Sequence, residues 1–256
     1  MDVRPAPALV VLLFAFTSSL FVFAASSQHD MTDMKEMSGM DHGKPAGGSS
    51  AQSAAQELKD ARVSEFNHHL AGFILLLASV FVLAEESLAK RWSSARYAWP
   101  LCLLFAGMFV LVFSDAEIWP LGPQTPWYAL THSLEDLQHK GFAAILLAVG
   151  YVEFQRAKGR LNGVLPALFF PVLAVAGTVL LLFHVHSGDM NAPDAMKVMA
   201  QIRTQHRWFA AVGLGIAVTK AFAEITHKWQ YVLNRTWPTL LSVLGVLLMA
   251  YTEVVR

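Results

Sequence analysis

Residues 128–151, YALTHSLEDLQHKGFAAILLAVGY, decide the fold because their two halves disagree. From Gly141 to Val152 the stretch is apolar, but those 12 residues fall short of the roughly 20 that a membrane crossing needs. The crossing must extend back into the polar half, which carries His132, Glu135, Asp136 and His139. At about 100° per residue, one continuous helix would align His132 with His139 and set Glu135 and Asp136 roughly 60° to either side. Two imidazoles and two carboxylates are too costly to expose to hydrocarbon, so this stripe must be buried against protein. The rest of the chain has to supply its partners.

Composition sets the class. The chain of 256 residues is 55% hydrophobic and 15% charged, and its apolar residues come in blocks. This predicts an all-α polytopic membrane protein whose main partner is the lipid bilayer. The formal net charge is zero, so neither nucleic acid nor an anionic surface is indicated as a partner. Cys102, the single cysteine, lies within an apolar block, which excludes a disulfide framework and a thiolate metal site.

Taken in order, Arg4, the apolar run Ala8–Ala25 and the small residues that close it predict a signal peptide over residues 1–25, or an uncleaved anchor. Residues 26–65 have little apolar bulk and are expected to form a disordered tail on the periplasmic side. Within this tail lies MTDMKEMSGMDHG, where Met31, Met34, Met37 and Met40 recur every third residue and His42 follows. Thioethers are soft ligands that suit Cu(I) and, unlike thiols, survive an oxidising compartment. Residues 66–256 are expected to form a six-helix transmembrane domain. Its crossings are placed at about 66–85, 97–114, 127–155, 164–183, 205–224 and 237–253, with Pro166 and Pro171 bending the first half of the fourth. The loops after the first, third and fifth crossings carry Lys90, Arg91 and Arg96; Arg156, Lys158 and Arg160; and Lys228 and Arg235. The positive-inside rule makes those loops cytoplasmic, which agrees with the orientation a signal peptide requires.

On this topology nine of the ten histidines fall on the periplasmic side. His68 and His69 open the first crossing, His132 and His139 lie in the third, His184 and His186 close the fourth, and His206 opens the fifth. Asp115 and Glu117 follow the second at the same level, and Glu135 sits between the histidines of the third. Taken singly, a histidine at a helix end is often an interfacial or capping residue, and Asp115 and Glu117 could be a solvated helix end. A polar layer that served only structure would not need imidazole from four separate helices. At the cytoplasmic end, Glu85, Glu86, Glu153 and Glu224 read as partners for neighbouring Lys and Arg before they read as an exit for a cation. Met108 and Cys102 read as packing residues.

Imidazole with carboxylate and no thiolate suits copper, zinc or iron, and the Met-rich tail favours copper, as Cu(I) or Cu(II). The candidate ligands are His68, His69, Asp115, Glu117, His132, Glu135, His139, His184, His186 and His206, together with Met31, Met34, Met37, Met40 and His42. The carboxylates would act as ligands or as acceptors that fix the imidazole tautomers. The expected function is copper capture for transport or delivery, a metal-binding role more than an enzymatic one. Expected partners are a periplasmic copper chaperone or a copper-receiving membrane enzyme. The alternative is haem b held between histidines on facing helices, in a membrane electron carrier or quinone-linked oxidoreductase.

Residues 66–253 resemble the copper-resistance D (CopD) family of bacterial inner-membrane proteins. The resemblance rests on His68-His69, Asp115 and Glu117, His139, His184-x-His186 and His206 at the positions just described. It implies a multi-pass protein of the bacterial inner membrane that binds copper and moves or delivers it, with the metal site on the periplasmic side.

Overall fold

The computed structural model describes residues 50–115, 118, 121–184 and 195–253, with side chains from 58 onward in the first helix. The expected signal peptide over residues 1–25 and the Met-rich stretch, with Met31, Met34, Met37, Met40 and His42, lie outside the described residues, as do Glu117 and His186. The chain divides into two units, residues 1–60 and 61–256. In the described part of the first lie the opening turns of a helix; the second is an all-α bundle.

The elements are α1 (Ser50–Ala89), a 3₁₀ turn (Ser93–Tyr97), α2 (Ala98–Phe113), α3 (Pro126–His132), α4 (Leu134–Ala157), α5 (Val164–Leu182), α6 (Ala195–Ile225) and α7 (Gln230–Met249). Five stretches are long and apolar enough to cross a membrane: Leu58–Ala89, Ser93–Phe113, Val164–Leu182, Ala195–Ile225 and Gln230–Met249. The chain is therefore a multi-pass membrane protein. With 24 residues, about 36 Å of helix, α4, expected as a sixth crossing, matches them in length but not in apolar composition. Its polar groups turn into protein: Asp136, Gln138 and Glu153 are all buried.

Three helices differ in extent from the sequence expectation. α1 begins at Ser50 instead of near Phe66, because residues 50–65 are rich in helix formers and contain no Gly or Pro. α6 begins ten residues before Gln205, again through a run of good helix formers. The expected continuous helix over 127–155 is broken at Ser133, which is extended and caps α4 by accepting the Asp136 N–H. Glu135 and Asp136 then lie in the first turn of α4, where carboxylates favour the helix N-terminus.

Close helix contacts depend on missing side chains. A Cβ on Gly72 of α1 would lie 2.5 Å from the Gly245 carbonyl of α7, and one on Gly245 would lie 2.8 Å from the Gly72 carbonyl. The two backbones touch at a pair of glycines, as small residues allow in membranes. Ser79 strengthens the same seam by donating to the Pro238 carbonyl at 2.8 Å. Gly107 and Gly150 do the same for α2 against α4, facing Leu147 and Leu104. The tight connection from α4 to α5 uses Gly159 and Gly163 at φ of 71° and 100°.

The apolar core lies towards the basic end of the bundle. There Trp237 meets Trp99 and Phe170 edge-on at 5.9 and 5.6 Å, and Leu103, Val149, Ile216 and Leu241 fill the spaces between. Such edge-to-face aromatic contacts contribute beyond the area they bury.

Candidate metal centre

At the opposite end, four imidazoles from four helical segments form a row. His139 of α4 lies 5.1 Å, centroid to centroid, from His184, which follows α5. His184 stacks on His206 of α6 at 4.9 Å, and His206 meets His68 of α1 edge-on at 6.0 Å. Tyr251, just past α7, closes the row by stacking on His68 at 3.9 Å. The Tyr251 ring is 1% exposed, and His206 is 5% exposed.

Each ring is held by the same nitrogen. Nδ1 of His68 donates to the Ser64 carbonyl at 2.8 Å, and Nδ1 of His206 to the Ile202 carbonyl at 2.9 Å. Nδ1 of His184 donates to Gln138 Oε1 at 2.9 Å, and the amide is oriented because its Nε2 donates to the Phe183 carbonyl at 2.7 Å. Nδ1 of His139 donates to Asp115 Oδ1 at 2.6 Å. A carbonyl or carboxylate can only accept, so the neutral form of each ring carries its hydrogen on Nδ1 and its lone pair on Nε2. This pattern of an acceptor behind Nδ1 is typical of imidazoles that bind metal through Nε2.

Asp115 anchors this end. It is 4% exposed, and Lys140 and Ser114 reach its Oδ2 at 2.7 and 2.5 Å. Burial pushes its carboxyl up, but the hydrogen bond and charge of His139, with hydrogen bonds from Lys140 and Ser114, outweigh burial and hold it below the usual carboxylate range. At the other end of the row, burial and the neighbouring Glu253 carboxylate push the Tyr251 phenol far above its usual range. It therefore stays a neutral hydroxyl that donates to Glu253 at 2.8 Å.

Glu135, His139 and His184 bring one ligand atom each within 4.8 Å of one another. Glu135 and His139 share a face of α4 because they are four residues apart. His184 can join them because α5 ends at Leu182, which frees its direction from the helical phase. Two predicted residues stand elsewhere. His69 reaches away from the row, its Nε2 lying 2.9 Å from the Tyr251 carbonyl, and so ties α1 to the end of the chain. His132 is exposed on α3, stacked on Tyr128 at 4.2 Å with Nδ1 on the Tyr128 carbonyl at 2.9 Å. The break at Ser133 takes it off the α4 stripe.

Gln138, Lys140 and Tyr251 were not singled out from sequence. An amide and an ammonium flanking His139 in a membrane helix were the available signal for the first two. Tyr251 offered none, since a tyrosine near a helix end reads as an interfacial anchor.

Beneath the histidine row lies a cavity of about 250 Å³, walled by apolar side chains from all six long helices. At the basic end Glu153 and Glu224 have cationic partners. Arg156 holds Glu153 at 2.8 Å and Glu224 at 3.0 Å, and Lys220 holds Glu224 at 2.5 Å while lying over the Trp237 ring. Glu86 pairs with Lys90 at the surface, at 4.0 Å. Cys102 packs against the core and Met108 is exposed on α2, so neither joins the row.

No family model, curated protein or solved structure matches the chain. The likeness to CopD proteins stands on the quoted residues alone.

Proposed function

We propose that the protein is a copper-binding protein of a bacterial inner membrane that captures copper on the periplasmic side and passes it on, by transport or by delivery to a partner. The observation that carries this reading is the convergence of Glu135, His139 and His184, whose ligand atoms lie within 4.8 Å of one another, with Nδ1 of both imidazoles held by Asp115 and Gln138. Glu135, His139 and His184 would hold the ion, with His206 stacked next to them as a further ligand. Asp115 and Gln138 act behind the ligands and fix their tautomers and directions.

Two nitrogens and a carboxylate oxygen suit Cu(II), Zn(II) and Fe(II). The Met-rich stretch selects copper among them, because thioethers favour Cu(I). A tail bearing Met31, Met34, Met37, Met40 and His42 on the same chain would raise the local copper concentration at the bundle, as tethering does for any second binding event. Orientation follows from the basic loops, which positive-inside topology assigns to the cytoplasm. Membership of the CopD family is part of this proposal.

Haem b has less support. A macrocycle needs its axial imidazoles on opposite faces, whereas His139, His184 and His206 follow one another at 5.1 and 4.9 Å.

Copper, zinc and iron titrations of the metal-free purified protein test the reading. Copper should bind near stoichiometrically and in preference to zinc and iron, and His184→Ala should weaken it at least tenfold. Equal or tighter zinc or iron binding would overturn the copper assignment.

A further inference from the structure

We propose that the cavity beneath the histidine row binds a neutral lipophilic ring compound of the isoprenoid-quinone class, its ring under the imidazoles and its tail in the apolar shaft. This inference does not depend on the copper reading.

The shape comes first. Leu75, Leu103, Phe109, Leu146, Phe170 and Leu241, from five different helices, give the walls no hydrogen-bonding groups, so the shaft is a poor place for water or a naked ion. A dry apolar cavity of roughly 150 Å³ is enough for a benzene-sized ring. At about 250 Å³, this one admits a substituted ring with the start of a tail.

The polarity is one-sided. The polar lining groups of the described residues are the four imidazoles with Ser64, Asn67, Ser114 and Thr178, and most of them gather at the histidine end. Nε2 of a neutral imidazole can accept from the hydroxyls of the reduced ring, and Asn67, whose amide nitrogen spends one hydrogen on the Phe113 carbonyl at 2.8 Å, has a second to donate to a carbonyl. Among the described residues, no Lys, Arg, Asp or Glu lines the cavity. Behind the imidazoles stand the carboxylates of Asp115 and Glu135, and the nearest ammonium, Lys140, is paired with Asp115 at 2.7 Å. An anionic headgroup would meet negative charge, and the cations near it, Lys140 and His139 when protonated, are already paired with Asp115, so the ligand that fits is neutral.

Gly177 gives a means to fill the shaft. A Cβ there would lie 3.9 Å from both Ile145 and Phe142, an ordinary contact. Gly177 is seven residues before His184, about 10 Å down the helix axis, so filling it leaves the histidine row in place.

The test titrates the full-length protein in detergent with decylubiquinone and follows tryptophan fluorescence, which Trp99 and Trp237 in the adjoining core report. Saturable quenching is expected, at least tenfold weaker in Gly177→Leu and in Ala174→Leu, with copper binding unchanged in both. Oleate, an anionic chain of similar bulk, should not relieve the quenching even at about tenfold the concentration of decylubiquinone. Where Gly177→Leu does not fold, Ala174→Leu decides. No saturation in the unaltered protein, equal affinity in the folded variants, relief of the quenching by oleate at that concentration, or a Soret band marking haem in the cavity would each overturn the proposal. Loss of copper binding in His139→Ala with quinone binding retained would separate this site from the metal centre.

Discussion

Nδ1 of His139 and Oδ1 of Asp115 are 2.6 Å apart, joining the polar half of α4 to the residue that follows α2. A buried carboxylate behind a histidine sets the imidazole's tautomer and raises its basicity as a ligand, and losing such a partner typically costs 10–100-fold in metal affinity. Asp115→Asn keeps the shape but offers an amide that can present its donor to Nδ1. Copper affinity is expected to fall 10–100-fold, as measured by competition with a chelator, while helix content by circular dichroism stays unchanged.

The pH dependence separates two groups. A carboxyl held below its ordinary value of about 3.9 contributes stability that is fully present above that value and is lost as pH falls through the lower folded value. Asp115 is such a group, so its contribution to stability is constant from pH 7 to pH 5. Copper affinity should nevertheless fall over that range, because the imidazoles must be unprotonated to bind a metal and protons compete for Nε2. Thermal melts of the metal-free protein and copper titrations at pH 7, 6 and 5 check the pair. Parallel losses of both would contradict it.

At the basic end Glu153 and Glu224 are held by Arg156 and Lys220. Glu224→Gln removes the partner of Lys220, which is 6% exposed, and leaves a buried ammonium beside Trp237. Breaking a buried pair from one side costs about 3–5 kcal/mol. The unfolding midpoint in detergent should drop accordingly with copper affinity unchanged. A loss of copper affinity would instead make these residues part of an ion path.

Tyr251 joins packing to the site. Its ring closes the histidine row, and its hydroxyl binds Glu253. Tyr251→Phe should cost about 1 kcal/mol, the net worth of one hydrogen bond. Tyr251→Ala should cost about 3–5 kcal/mol, the usual effect of removing a buried aromatic ring, and should loosen His68. Chemical denaturation followed by circular dichroism distinguishes them.

The bundle was legible because apolar blocks of membrane length and Lys/Arg-rich loops are strong, local signals. His139 was equally legible, since the short apolar run after it leaves an ionisable group at membrane depth. His184 and His206 were visible as histidines near helix ends, but their 4.9 Å stack depends on how α5 and α6 pack, which no spacing in the chain encodes. The same limit hid the choice between His68 and His69. Adjacent residues on a helix point about 100° apart, and only the assembled bundle shows that the His68 ring packs against His206 and Tyr251 while His69 reaches the Tyr251 backbone carbonyl. His132 was misplaced for a local reason: Ser133 with Asp136 three residues on is a capping pattern, and it stops one helix and starts the next.

The most direct test of the proposed copper site is an absorption spectrum with elemental analysis of the purified protein, unaltered and as His139→Ala. The account predicts near-stoichiometric copper and no Soret band in the unaltered protein, with copper lost from a variant that keeps its helix content. A Soret band without copper, or copper retained in full by the variant, would contradict it.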